Sequence, residues 1–362
     1  MRQSTGNGGA RCGGLPVALR EGQAVRVGRL SREGVSGLLE MPEWEIPGQR
    51  VPAVGMTTAA PSGSVLAVRN TGEHQSAWRF PVTGGAVELS LPPGVASHAV
   101  SLSALDGGLA VARVARRGED GGTTLWTRPV DADAWSEPIA LPGILVLSVA
   151  PAVDGGLVVG GKRLAGGAVL GCLDLGTGAL TAVGGPAPAS LRPGRGLLSS
   201  TWDREPPEYF LRVAAVPGMT TAISESGYLW QDTALHALGP GGRVPWYRSR
   251  WVFDGVAGGP HVHEGRVVLL GARGRLHIAD PERRRWSGRR IGKLLGEVCG
   301  EAGPPRVAGG AVCGEELWVE VAFDGEPGDC GRFVVAVRPT GGAAELVYRC
   351  PPGEEIIGLG LD

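Results

Sequence analysis

The sequence contains very little lysine. Of 362 residues, Lys162 and Lys293 are the two lysines, and arginine carries nearly all the positive charge. This bias indicates a GC-rich bacterial genome rather than a recognition surface. The formal net charge is −1, so the chain lacks the basic excess that a general nucleic-acid-binding surface requires. We therefore expect no nucleic-acid partner.

Long apolar runs are also missing. No apolar run approaches the ~18 residues that a membrane span needs. The first residues, MRQSTGNGGARCGG, lack the apolar core of a signal peptide, and residues 1–13 are expected to form a flexible N-terminus. We therefore predict a monomeric, cytoplasmic protein that does not bind membranes.

The cysteines form no CxxC pair, which argues against a zinc site. Free thiols in a reducing compartment are the simplest interpretation, and buried, inert thiols are favoured for the four cysteines nearest the C-terminus. The six positions are Cys12, Cys172, Cys299, Cys313, Cys330 and Cys350.

Amphipathic helical patterns are absent too, whereas short apolar strands separated by glycine turns run along the whole chain. The 62 glycines suit a fold with many tight turns. A turn glycine recurs at steps of 44 to 49 residues, except for one step of 63 residues between Gly155 and Gly218. Such a step matches one four-stranded unit per repeat. The tracked positions are Gly14, Gly63, Gly107, Gly155, Gly218, Gly265 and Gly314.

This repeat resembles that of the β-propeller superfamily, in particular its PQQ-type and kelch-like members. The run LDLGTGAL, Leu173–Leu180, resembles the outer hairpin of a PQQ-type repeat, with a tight turn at Gly176-Thr177-Gly178. The WD dipeptide signature is absent, so no specific family is indicated. The resemblance implies an all-β fold, a seven-bladed propeller that forms a single domain over residues 1–362.

The two ends of the chain are predicted to share one blade. Glu354–Leu361 reads as an innermost strand without its three partners, and the N-terminal segments Leu15–Leu19, Ala24–Leu30 and Val35–Met41 would supply them. This pairing would close the ring and remove two open sheet edges.

The longer repeat step predicts an insertion at residues 189–208, between the fourth and fifth blades. It is rich in Pro, Gly and Arg, and it contains Trp202 and Arg204. An exposed Trp beside charges suits a ligand-binding lid on the channel-mouth face. A surface elaboration without a binding role, or an extra strand that pairs with the fifth blade, explains the segment equally well.

Polar residues precede most of the predicted innermost strands, where they would surround the mouth of a central channel. This mixed ring suits a polar or anionic small molecule, or a peptide. An ordinary polar channel rim would look the same. The residues are Arg50, His98, Tyr209, Asp254, Arg306 and Glu355.

The motif that most specifically suggests chemistry is His261-Val262-His263-Glu264. Residues two apart on a strand face the same side, so both imidazoles could bind a metal or transfer protons in the channel, with Glu264 assisting. Two polar residues without chemistry are the alternative. No third ligand is identifiable, so we predict no cofactor, with a divalent metal as the exception that this motif would allow.

Two functions remain open from sequence. The leading interpretation is a propeller that binds a protein partner or a polar small molecule at its channel mouth. The alternative is a cofactor-independent or metal-assisted lyase, isomerase or cyclase of a biosynthetic pathway, acting through His261, His263 and Glu264. In general plan such an enzyme resembles the virginiamycin B lyases.

Overall fold

A computed structural model describes most of the chain. The described residues are 14–22, 24–41, 53–58, 62–70, 74–116, 121–182, 212–216, 219–225, 233–238, 256–280, 285–323 and 331–360.

The described residues of the N-terminal half form fifteen strands. They are β1 (Leu15–Glu21), β2 (Ala24–Ser31), β3 (Gly34–Met41), β4 (Ala53–Thr58), β5 (Val65–Asn70), β6 (Gln75–Phe80), β7 (Val87–Leu89), β8 (Val100–Leu105), β9 (Leu109–Arg116), β10 (Gly122–Pro129), β11 (Ile139–Pro142), β12 (Ile144–Pro151), β13 (Leu157–Arg163), β14 (Ala168–Leu173) and β15 (Leu180–Ala182).

The C-terminal half adds twelve strands and one helix. They are β16 (Arg212–Val216), β17 (Met219–Glu225), β18 (Thr233–Leu238), β19 (Val256–His263), β20 (Arg266–Gly271), β21 (Arg275–Asp280), β22 (Arg285–Arg290), α1 (Gly292–Cys299), β23 (Pro305–Cys313), β24 (Glu316–Phe323), β25 (Arg332–Val337), β26 (Ala344–Arg349) and β27 (Glu354–Leu359).

The strands form a ring of antiparallel sheets, and all but one sheet are built from strands that follow one another in the chain. The innermost strands of successive sheets are β27, β4, β8, β12, β16, β19 and β23, and each of them contacts the next. This arrangement confirms the predicted β-propeller. Antiparallel strands alternate in direction, so the face where the innermost strands begin also holds the ends of the second strands and the starts of the third. We call it the entry face.

The number of complete blades differs from the prediction. The described residues contain six four-stranded sheets, whereas the sequence predicted seven. The remaining sheet, β16-β17-β18, has three strands. It lies beside the longest stretches outside the described residues, among them the predicted insertion at 189–208.

One sheet joins the two ends of the described chain, in the order β27-β1-β2-β3. Strand β1 pairs with β27 from Val17 opposite Leu359 to Glu21 opposite Glu354, with an irregularity after Ala18. Ile356 of β27 is 1% exposed and packs in a core with Leu15 and Leu19 of β1 and Trp318 of β24. Strand β27 is therefore a structural part of the first sheet.

Apolar cores lie between neighbouring sheets rather than at one centre. Val268 and Leu270 of β20, for example, share a core with Leu317, Val319 and Val321 of β24. Both faces of the second and third strands are covered in this way. This explains their nearly continuous apolar sequences, such as ELWVEVAF in β24.

The turns that set the sequence repeat have the expected geometry. Gly63, Gly107 and Gly155 have φ values of 71°, 76° and 90°, which an L-residue rarely adopts. In the LDLGTGAL hairpin, the Asp174 carboxylate accepts hydrogen bonds from the backbone N–H groups of Gly176 and Thr177 at 2.9 and 2.7 Å. Gly178 completes the turn with a φ of 70°.

The expectation that no helix forms is wrong at α1. This eight-residue helix, GKLLGEVC, connects β22 to β23 and buries Leu295 and Cys299. It ends at Gly300, whose φ of 75° fits a left-handed C-cap. Its brevity and its two glycines hid the helical period. No helix among the described residues is long and apolar enough to cross a membrane.

The cysteines are only partly as predicted. Cys172, Cys299 and Cys350 are free, and burial raises the pKa of Cys299 to about 11 and that of Cys350 to about 12, which makes these two thiols unreactive. Cys313 is disulfide-bonded, so the prediction of free thiols is wrong there. Disulfides persist mainly in oxidising compartments. This bond removes one ground for the predicted cytoplasmic location, which stays a prediction.

The first prediction concerns β27. Ile356→Ala should lower the free energy of unfolding by about 2–5 kcal/mol, because it leaves a cavity between the first and last sheets. Leu147→Ala on β12, where the side chain is 38% exposed, should have a much smaller effect. Denaturant titration of both variants measures the difference.

Removing residues 354–362 should be more damaging, because it uncovers the edge of β1 as well as the core. A truncated protein with an unchanged melting temperature, or equal effects of the two alanine variants, would contradict a structural role for β27.

Candidate functional site

An ionic network lies on the entry face, between the sheet that ends in β26 and the sheet that begins with β27. Arg20 of β1 pairs with Glu355 of β27, with 2.7 Å between Nη2 and Oε2. Arg332 of β25 pairs with the other oxygen of Glu355 and, at 3.1 Å, with Glu320 of β24. The Arg332 guanidinium also donates to the carbonyl of Ile356 at 3.1 Å. Four strands thus contribute to one cluster, which we call the seam network.

A second set of charges adjoins the seam network through Glu354. The Arg26 guanidinium lies 3.2 Å from the Glu354 carboxylate and 2.9 Å from that of Glu21. The Tyr348 hydroxyl donates to Glu354 at 2.5 Å. Burial and the neighbouring carboxylate hold the pKa of Tyr348 above its usual value. This phenol therefore acts as a hydrogen-bond donor at neutral pH.

The seam network is buried at one end and open at the other. Glu320 is 7% exposed, whereas the side chains of Arg20, Arg332 and Glu355 are 31%, 30% and 23% exposed. Solvent therefore reaches a pair of guanidinium groups and a carboxylate beside the innermost strand.

Glu320 has the most perturbed carboxylate of the network. Burial raises its pKa to about 7, with Glu355 acting in the same direction and Arg332 in the opposite one. Gly309 of the innermost strand β23 has no side chain, and a Cβ there would stand 3.9 Å from Glu320 Oε2. The carboxyl group therefore lies directly behind a glycine and holds or releases a proton near neutral pH.

A similar network joins the same two sheets at the opposite face. Arg32, in the turn after β2, pairs with Glu316 of β24 at 2.7 Å and also with Glu345 of β26. Trp318 Nε1 donates to Glu316 at 3.3 Å. This second network is remote from the entry face and provides a matched control for experiments on the first.

The histidine motif is placed between sheets. His261 and His263 are 9% and 3% exposed, and both pair in register with β20, opposite Val268 and Arg266. Directly opposed residues share a face. The side of β20 that carries Val268 packs in the apolar core shared with the sheet that begins at β23. The two histidines thus share one side of the strand and lie against this apolar interface.

The ring nitrogens of this motif have few polar contacts. Nε2 of His261 and Nε2 of His263 are buried without a hydrogen-bond partner. Burial, with Arg212 nearby, lowers the pKa of His261 to about 4, so its ring is neutral at pH 7. Glu264 sits in the following turn at φ 49°, and its carboxylate lies 4.0 Å from His263 Nδ1. The structure therefore brings His263 and Glu264 together. Their catalytic role stays a prediction.

The residues predicted to surround the channel mouth divide into two groups. His98 precedes β8, with its ring edge-on to His74 at 6.4 Å between centroids. Arg306 is exposed on β23, and Glu355 belongs to the seam network. The other three, Arg50, Tyr209 and Asp254, lie outside the described residues, as do Trp202 and Arg204 of the predicted insertion. Within the described part of the chain, no group of three or more His, Cys, Asp or Glu side chains has an arrangement suited to a metal.

Sequence reasoning missed most of the seam network. Glu355 was singled out as a channel-mouth residue, but Glu320, Arg332 and Arg20 were not. Arg20 and Glu355 lie at opposite ends of the chain, and an ion pair between them leaves no spacing pattern. Glu320 offers one usable signal, because it is the single charged residue inside the apolar run LWVEVAF.

No protein-family model and no curated protein sequence matches the chain. Many solved structures share its fold. Virginiamycin B lyase from Staphylococcus aureus is 12% identical with a TM-score of 0.45, covering 84% of this chain and 86% of the lyase. A puromycin-hydrolysing peptidase from Mycobacterium tuberculosis is 15% identical with a TM-score of 0.49, covering 94% of this chain but 54% of the peptidase.

A third similar structure is TolB from Acinetobacter baumannii, which is 9% identical with a TM-score of 0.44. The match covers 77% of this chain and 64% of TolB. At these identities the likeness concerns the fold alone.

The second prediction tests the proton on Glu320. Because its folded pKa is raised from 4.5 to about 7, its favourable contribution is fully present below pH 4.5 and is lost as the pH rises through 7. Relative to wild type, Glu320→Gln should therefore gain stability between these pH values, by on the order of 3 kcal/mol. Denaturant titrations from pH 4.5 to 8 give the difference. A constant difference across this range would contradict the raised pKa.

The third prediction concerns His261, whose folded pKa is depressed from 6.5 to about 4. Its contribution is present above pH 6.5 and is lost as the pH falls through 4. His261→Leu should lose less stability on acidification than wild type, by up to about 3 kcal/mol. His98→Leu, which removes an exposed histidine, is the control for the loss of a histidine side chain. Equal acid sensitivity of wild type and His261→Leu would count against a buried neutral ring.

Proposed function

We propose that this chain is a ligand-binding propeller that takes a polar, zwitterionic small molecule at its entry face. The observation that carries the proposal is the seam network. It presents two partly exposed guanidinium groups and a carboxylate beside an innermost strand. Guanidinium groups bind carboxylates in paired hydrogen bonds, and the carboxylates of the network bind ammonium groups.

We infer that the three-stranded sheet β16–β18 is the fifth of seven blades and that the β1–β27 pairing closes the ring. The beginnings of all seven innermost strands would then surround one channel. The seam network would lie at the mouth of that channel, where Arg306 and His98 also belong.

The character of the surface favours a small molecule over a protein partner. Protein interfaces concentrate aromatic and other large apolar side chains at their centres. Among the described residues, the exposed large apolar side chains are aliphatic and come from separate parts of the chain, namely Leu38, Val82, Val87, Leu147, Val153, Leu164 and Val262.

A second function, acid–base catalysis, is supported by one specific observation. Glu320 has a pKa of about 7 and lies behind Gly309 of the innermost strand. A group that titrates near the working pH both accepts and donates protons efficiently. If the bound molecule is transformed, we propose Glu320 as the proton-transfer group, in preference to His261, whose depressed pKa makes it a poor proton carrier at pH 7.

The fourth prediction tests the ligand site. Free amino acids and dipeptides, screened by thermal shift, should include members that raise the melting temperature of wild type. A ligand at about a hundred times its dissociation constant adds about 2.7 kcal/mol to stability. Arg20→Met should remove this gain, because it takes one exposed guanidinium group out of the seam network.

Arg32→Met is the matched control, since it disrupts the network between the same two sheets at the opposite face. It should retain the ligand-dependent gain even where it lowers the melting temperature itself. A screen without stabilising compounds, or equal losses in the two variants, would reject a zwitterion site in the seam network.

A further inference from the structure

A buried arginine without a counter-ion lies between the sheets of β8–β11 and β12–β15. Arg113 of β9 is 8% exposed, and burial lowers its pKa to about 10, so it stays charged at neutral pH. No carboxylate pairs with it in the described part of the chain. Burying an unpaired charge costs several kcal/mol. Arg113 is thus a buried positive charge that no described carboxylate compensates.

The same guanidinium is held in place by two hydroxyl groups. Arg113 Nη2 donates to the Oγ atoms of Ser101 and Ser103, each at 3.1 Å. Both serines lie on β8, two residues apart, and both are half-buried. This innermost strand contacts β4 and β12, its neighbours in the ring. Both serines are therefore partly exposed to solvent, whereas the guanidinium that they contact is buried.

The hydrogen bonds leave several donors unused. An Oγ atom that accepts from Arg113 keeps its own O–H as a donor, and neither serine hydroxyl donates to an acceptor in the described structure. Arg113 Nε and Nη1 are also buried without a hydrogen-bond partner. The cluster thus combines a full positive charge with two accessible O–H donors and no acceptor that uses them.

We propose that Arg113, Ser101 and Ser103 form a binding site for a small oxyanion, such as a carboxylate or phosphate group, beside the innermost strand β8. The oxyanion accepts from both hydroxyl groups and compensates the guanidinium charge. Charge-assisted hydrogen bonds of this kind are roughly twice as strong as neutral ones. None of the three residues belongs to the seam network, so the site does not depend on the proposed zwitterion site.

The test titrates formate and inorganic phosphate separately against the full-length protein, at constant ionic strength set with chloride. Melting temperature is recorded for wild type, Arg113→Met and Arg116→Met. Arg116 lies on the same strand and is exposed, so its variant carries the same charge change without touching the cluster. It also reports the general stabilisation that phosphate gives to folded proteins.

Wild type and Arg116→Met should show a saturable rise with at least one anion, and Arg113→Met should lack it. A response to formate alone assigns a carboxylate ligand, and a response to phosphate alone assigns a phosphate ligand. In buffer without either anion, Arg113→Met should be at least as stable as wild type, because it removes an uncompensated buried charge.

A double variant, Ser101→Ala with Ser103→Ala, keeps the guanidinium and removes both hydroxyl groups. Its anion affinity should fall by about tenfold or more, since two charge-assisted hydrogen bonds are lost. This variant also keeps the test decisive if Arg113→Met does not fold. The proposal is overturned if wild type shows no saturable response, or if either cluster variant responds as Arg116→Met does.

Discussion

The pairing of β1 with β27 is the contact that holds the two ends of the described chain in one sheet. Without it, β1 and β23 would each face an open seam, and the core around Ile356 would be uncovered. The same seam carries an arginine–carboxylate network at each end, centred on Arg332 and on Arg32. Backbone hydrogen bonds, apolar packing and ion pairs therefore coincide in one place, and the proposed ligand site uses groups that this strand pairing has already brought together.

Three buried ionisable groups show that the same desolvation by burial leads to different charge states. His261 loses its proton and becomes a neutral ring, because its pKa falls to about 4. Glu320 remains balanced between its two forms, because Arg332 offsets part of the burial. Arg113 cannot lose its proton at neutral pH and stays charged. Burial alone thus does not identify a site. Arg113 keeps its charge without a described counter-ion, and it is therefore the group for which we propose an anionic ligand.

The fold was predictable because the repeated turns require glycines, which are visible in the sequence. Gly14, Gly63, Gly107, Gly265 and Gly314 all have positive φ, so each marks a turn that few other residues could make. Their spacing gave the blade length, and the unpaired strand at the C-terminus gave the β1–β27 pairing. The four-stranded prediction was not met in the sheet of β16–β18, whose neighbouring segments lie outside the described residues.

The candidate sites were less predictable, for a physical reason. The seam network joins Arg20 to Glu355, and the Arg113 cluster joins β9 to β8 through side chains whose partners depend on register. Single sequences carry no record of such pairs. The His261–Glu264 motif was visible because its members are adjacent, and adjacency along a strand did not bring both histidines to one open surface. The disulfide at Cys313 had no spacing signal either.

The separation in sequence between the two halves of the seam has a consequence for how the molecule forms. Arg26 and Glu354, which are joined by an ion pair, stand 328 residues apart. Contacts between residues so far apart in sequence form slowly, because a very long loop must close before the contact can contribute to stability. During synthesis β1 emerges long before β27, so its edge is unpaired while the other sheets are made. This nascent edge is where we expect chaperone binding or aggregation to begin.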